Sequence, residues 1–191
     1  MRKEMDFIGI IVGVVIGIVF GFFIHDKVNI VNSKEVSSEE KVYLLQIGQY
    51  DNSEDVLSTQ RLLQENGIPN IVVFENDVFI IYSGISLDEN FESITVLLDY
   101  SEISYVVKSK FLYNYISDYE ESELTFWEDG LGYYMKSLNN EKFETSEEFK
   151  EQKRMNIEFY SNIVYLMSVQ EEDLLNRIRL QTFKLLVENR V

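Results

Sequence analysis

Cysteine is absent from this 191-residue chain, and histidine occurs once, as His25. Without cysteine there is no disulfide framework, no thiolate chemistry and no cysteine-based metal site. A single histidine leaves the rest of the chain without a Ser/His or Cys/His nucleophile system, and zinc sites need such ligands in number. No glycine-rich phosphate loop is present, so neither cofactor nor metal is expected. Positive charge is scarce as well. Seventeen Lys and Arg face thirty-three Asp and Glu, a formal net charge of −16. A surface of that sign repels phosphate, which argues against nucleic acid as a partner. Carboxylates are abundant enough for a glycosidase pair, but none stands out, and acids on solvated helix faces account for them. The chain reads as a binding protein and not an enzyme.

What is present begins with residues 7–24, FIGIIVGVVIGIVFGFFI, eighteen residues without a charge. As a helix rising ~1.5 Å per residue this run spans roughly 27 Å, close to the ~30 Å hydrocarbon core of a bilayer. The following HDKVNIVN offers no small-x-small cleavage site, so an uncleaved anchor is expected, with residues 1–28 forming the N-terminus and membrane helix. Arg2 and Lys3 precede the run, which places the N-terminus in the cytoplasm and residues 25–191 outside it, with the membrane crossed once. Gly9, Gly13, Gly17 and Gly21 recur every fourth residue and line one helix face. Such a stripe lets two helices approach closely, so homodimerisation through the anchor is one expectation. The other is that the glycines merely face lipid.

Residues 29–41 are polar and read as a linker. Beyond them a unit recurs. Residues 42–48 (VYLLQIG) form an apolar strand, 53–66 a helix opened by Ser53 and closed by Gly67, and 71–74 a second strand before a turn at 75–77. Residues 78–84 (VFIIYSG) then lie over 42–48 at an offset of 36. Ser86 and Glu89 have capping-box spacing for a second helix with an apolar face of Phe91, Ile94, Leu97 and Leu98, and 105–107 supply a fourth strand. Two tandem units of this kind predict an α+β, ferredoxin-like βαββαβ sheet with both helices on one face. By strand parity Tyr43, Leu45, Ile47, Phe79 and Ile81 face those helices. Gln46, Val78, Ile80 and Tyr82 then lie on the opposite face, which is expected to be open.

The stretch Tyr43-Leu-Leu-Gln46-Ile-Gly48-Gln-Tyr50, the helix ending Asn66-Gly-Ile-Pro69, and Tyr82-Ser-Gly84 resemble the SPOR domain, a module of bacterial cell-division and sporulation proteins. The resemblance covers residues 42–110. It implies binding to peptidoglycan glycan strands stripped of their stem peptides, on the open sheet face, and concentration at the septum. Carried over by position, it implies a glycan site at Gln46, Gln49, Val78, Ile80 and Tyr82. Gln46 would supply amide hydrogen bonds and Tyr82 a ring face for a sugar. Ile80 stands where the family often has a basic or polar residue, and residues 41–110 carry four cations against eleven acids. The alternative is therefore that this face packs on the C-terminal helices and the protein acts as an envelope protein–protein adaptor.

Residues 111–191 have helical periodicity. One stripe is Leu124, Trp127, Leu131, Tyr134 and Leu138. A helix capped by Thr145 and Glu148 is expected to bury Ile157, Tyr160, Val164 and Met167, and a last helix to bury Leu175, Ile178, Thr182 and Leu185. Tyr113, Tyr115, Tyr119, Phe126, Trp127, Tyr133 and Tyr134 could serve as a sugar platform, but core packing is the reading preferred here.

Overall fold

A computed structural model describes residues 41–189. The apolar run 7–24 and its glycines Gly9, Gly13, Gly17 and Gly21 lie outside the described residues.

Strand β1 (Lys41–Tyr50) opens the sheet. Helix α1 (Ser53–Glu65) follows, capped by the Asn52 side chain, which accepts from the Asp55 N–H at 3.0 Å. Asn52 thus takes the role that spacing assigned to Ser53. At its other end Gly67 adopts φ +69°, a left-handed position where a side chain would be strained. Strands β2 (Ile71–Glu75) and β3 (Val78–Ser86) form a hairpin. Its two-residue turn puts Asn76 and Asp77 at φ 52° and 63°, the twist that suits two-residue hairpins and residues that tolerate positive φ.

The second helix departs from its expected start. Ser86 ends β3, and its hydroxyl bonds Asp88 at 2.9 Å. A chain of Asp and Asn turns then carries the backbone to α2 (Glu92–Tyr100). Strand β4 (Val106–Phe111) completes an antiparallel sheet of order β2-β3-β1-β4.

A 3-10 turn (Leu112–Tyr115) leads into α3 (Glu121–Leu138). Then come α4 (Glu147–Glu151), capped by Ser146, α5 (Ile157–Ser168), capped by Asn156, and α6 (Glu172–Glu188). The apolar stripe of α3 is buried at Trp127, Leu131, Tyr134 and Leu138. Helices α3 and α5 approach so closely at Gly130 that a Cβ there would run into the Phe159 ring. In α5 the buried side is Phe159, Ile163 and Leu166; of the face that periodicity suggested, Ile157, Val164 and Met167 are exposed and only half-buried Tyr160 packs against the core.

The core lies in two parts, one on each side of the sheet. Leu45 and Ile81 pack with Val56, Leu63, Ile68, Phe91, Ile94 and Leu98 from α1, α2 and the turn between α1 and β2. On the other side Val42, Leu44, Val73, Ile80 and Tyr82 pack with Leu112, Ile116 and the C-terminal helices, among them Leu180 and Phe183 of α6. Burial on both faces explains why these strands are apolar in almost every position.

The expected architecture is corrected accordingly. It joined a membrane helix, a ferredoxin-like domain with one open face and a helical region. Among the described residues no helix is long and apolar enough to cross a membrane. These residues form an α+β fold with a four-stranded antiparallel sheet and six α-helices, and the sheet has no open face over β2 and β3.

Candidate functional site

The residues assigned to a glycan site meet on one side of the sheet. Pairing of β1 with β3 sets Gln46 opposite Tyr82 and Gln49 opposite Ile80. Gln46 and Gln49 are three apart and would lie on opposite faces of a regular strand. Register shifts between Leu45 and Gln46 and between Gln46 and Gly48 leave Ser83 and Ile47 without partners across the pair. This irregularity returns Gln49 to the face of Gln46. It also turns Tyr50 toward α1, where its hydroxyl hydrogen-bonds Thr59 Oγ1 at 2.8 Å.

That face is roofed. Tyr82 is 1% exposed and Ile80 7%, and Val78 is partly buried against the same core. The Phe183 ring of α6 meets the Tyr82 ring edge-on, centroids 5.7 Å apart and planes at 83°, and meets Tyr115 in the same way at 5.8 Å. No ring face of Tyr82 is left for a pyranose. Gln46 is half-buried and only Gln49 is well exposed. Burial, and next the nearby Glu75 carboxylate, push the Tyr82 hydroxyl well above the ordinary tyrosine range, so it stays neutral.

Glu75 belongs to a polar junction that sequence reasoning did not find. Its carboxylate accepts from Lys110 Nζ at 2.9 and 3.1 Å and from the Tyr115 hydroxyl at 3.2 Å. Glu75 sits on β2 and Lys110 on β4, the two outermost strands. The sheet is therefore coiled enough for side chains from its opposite edges to meet over one face. The Glu75 side chain is 12% exposed and that of Lys110 30%. Removal of a carboxylate from water costs energy unless it is paired, and this one has three donor contacts. The pair is 35 residues apart, so no local spacing announces it. The arrangement fastens the sheet to the turn that begins the helical region. With Phe183 above it, the junction is an internal joint and not a cleft.

The aromatic cluster is likewise internal. Tyr119 stacks on Trp127 at 4.8 Å, Phe126 on Phe149 at 5.0 Å, and the Tyr134 hydroxyl donates to the Arg179 carbonyl at 2.7 Å. Arg179, itself 8% exposed, donates from Nε to Ser137 Oγ at 3.2 Å and through its guanidinium to the Ser137 carbonyl. It thereby ties α6 to the end of α3, where unsatisfied helix carbonyls favour a cation. Among the described residues no group of three or more His, Asp or Glu is placed to hold a metal ion.

Apolar side chains do reach the surface elsewhere. Ile157 and Tyr165 project from α5, Val96 and Tyr100 from α2, and Val106, Val107 and Phe111 from β4. No family model, curated protein or solved structure matches the chain.

Proposed function

We propose that this chain is a non-catalytic adaptor of the bacterial cell envelope, whose SPOR-like sheet serves as a scaffold for contacts with another polypeptide. The observation that carries the reading is the burial of Tyr82 and Ile80 beneath α6. Three of the five residues that resemblance assigns to sugar, Val78, Ile80 and Tyr82, pack into the protein's own core. The apolar groups left at the surface lie on helix backs and a sheet edge, a distribution suited to protein contact. The uncharged run at 7–24 supports attachment to a membrane with residues 25–191 outside the cytoplasm. Protease added to intact protoplasts tests that placement, and full protection of the chain overturns it.

Binding to denuded peptidoglycan is the competing reading, favoured by the exposure of Gln49 beside half-buried Gln46. It requires α6 to leave the sheet. Co-sedimentation of the chain with denuded and with peptide-bearing sacculi separates the two. The adaptor reading expects no retention above background on either. Selective retention on denuded sacculi, weakened by Gln49→Ala, overturns it in favour of glycan binding.

A further inference from the structure

The two edges of the sheet are treated differently. Strand β2 has Ile71 and Val73 buried and α6 packed beside it. Strand β4 has no buried residue. Val106, Val107 and Phe111 are 47%, 38% and 44% exposed, and among the described residues β4 pairs only with β1. Its outer side is a row of backbone donors and acceptors, six residues and ~20 Å long, that meets no further strand among the described residues.

We propose that the outer edge of β4 takes up an extended acidic segment of a partner polypeptide as a fifth strand. This inference rests on the adaptor reading and names its surface and the chemistry of its partner. Main-chain hydrogen bonds supply attachment in this mode, and alternating side chains supply selection. Pairing with β1 puts Val106, Lys108 and Lys110 on the face of Gln46, Leu44 and Val42, and Val107, Ser109 and Phe111 on the other. The added strand therefore meets cations on one face and two apolar groups on the other. Lys108 is exposed and forms no ion pair among the described residues, whereas Lys110 is held by Glu75.

Lysine on a bare edge also protects it against indiscriminate pairing, and here the same residues choose the partner. A second copy is a poor occupant. In a symmetric antiparallel pair the register centred on Ser109 opposes Lys108 to Lys110, and the register centred on Lys108 opposes that lysine to itself. Like charges directly opposite are unfavourable. An acidic strand reverses the sign of that interaction. The chain's net −16 repels such a strand at long range, but at ~0.15 M salt the Debye length is about 8 Å, so contact with Lys108 prevails over distant acids.

The test is a fluorescence anisotropy titration of the full chain, at physiological salt, with an eight-residue peptide alternating Glu and Val. Its controls are a Lys/Val alternation and a peptide with proline in place of each valine. The Glu/Val peptide is expected to bind at least tenfold tighter than either control. It should slow amide exchange at residues 106–111, and Lys108→Glu should weaken it at least fivefold while turning preference toward the Lys/Val peptide. Equal binding of the proline peptide reveals charge attraction without strand addition and overturns the proposal. No binding of the Glu/Val peptide, or protection elsewhere than β4, does the same. Denuded glycan is titrated in parallel. Glycan binding that Lys108→Glu leaves unchanged sinks the adaptor reading itself, whereas failure of the peptide without glycan binding sinks only the β4 edge.

Discussion

Replacement of Tyr82 by alanine distinguishes a roofed sheet from an open one by a measurable margin. On an open face the side chain would be solvated, and its loss would change stability by about 0.5 kcal/mol or less. In this fold Tyr82 is 1% exposed, lies among Ile80, Ile85 and Phe183, and makes an edge-on ring contact with Phe183. Truncation of a buried aromatic to alanine costs about 3–5 kcal/mol, from lost transfer energy and the cavity left behind. Urea unfolding of the chain, followed by circular dichroism, reads the difference. With an m-value of about 2 kcal/mol/M, a 3 kcal/mol loss moves the midpoint down by about 1.5 M. Phe183→Ala should cost a similar amount, and the double variant less than the sum, because the ring contact is worth about 0.5–1.5 kcal/mol beyond area burial. A Tyr82→Ala loss below about 1 kcal/mol, or strict additivity with Phe183→Ala, would refute the packing of α6 on this face.

Other predictions concern separate joints. Gly130→Ala should destabilise by about 1–3 kcal/mol, because the new Cβ meets the Phe159 ring; a neutral change in the urea midpoint contradicts that approach of α3 and α5. Lys110→Met should cost about 1–3 kcal/mol, less than the ~3–5 of a fully buried pair because Lys110 keeps 30% exposure. Adding Glu75→Gln should recover part of it, and a double variant as unstable as the sum of the singles contradicts their coupling. Burial, followed by repulsion from Glu148 and Glu128, raises the Asp129 carboxyl above its usual range. A carboxyl so raised binds its proton more tightly in the folded state. Its contribution is greatest below the unfolded pKa of about 3.9 and is lost as pH rises through the folded value. Asp129→Asn should therefore raise the thermal midpoint at pH 7 and leave it nearly unchanged near pH 3.5, and an equal shift at both pH values contradicts this sign.

The strands were legible because their signals are local. The run VYLLQIG and its counterpart VFIIYSG are bounded by turn residues, and β1 and β3 fall on them. Facing was legible only up to Gln46. Strict alternation would put Gly48 beside Gln46, but the irregular pairing at Ile47 changes parity, and nothing in Gln46-Ile-Gly48 marks it in advance. The face of α5 was not legible for a different reason. Its sequence IEFYSNIVYLMS carries apolar residues nearly all round, so Ile157, Val164 and Met167 make as good a stripe as Phe159, Ile163 and Leu166. Only the tight approach at Gly130 of α3 decides between them.

The covering of the second sheet face differs most from expectation, and the strands themselves carry the signal for it. A sheet with one solvated face alternates apolar and polar residues, whereas one covered on both sides is apolar throughout. Residues 78–82 read VFIIY, with no polar position but the tyrosine hydroxyl. Gln46 is the polar residue of that side, yet a single amide beside Val42, Leu44, Ile80 and Tyr82 is a minority there. Strand β4 shows the contrast. Its VVKSKF has lysine at two of six positions and no buried residue. The longest run of solvated strand residues in this fold is therefore found where cations interrupt the apolar pattern, along β4. A search for the surface this sheet offers to other molecules should start at Lys108.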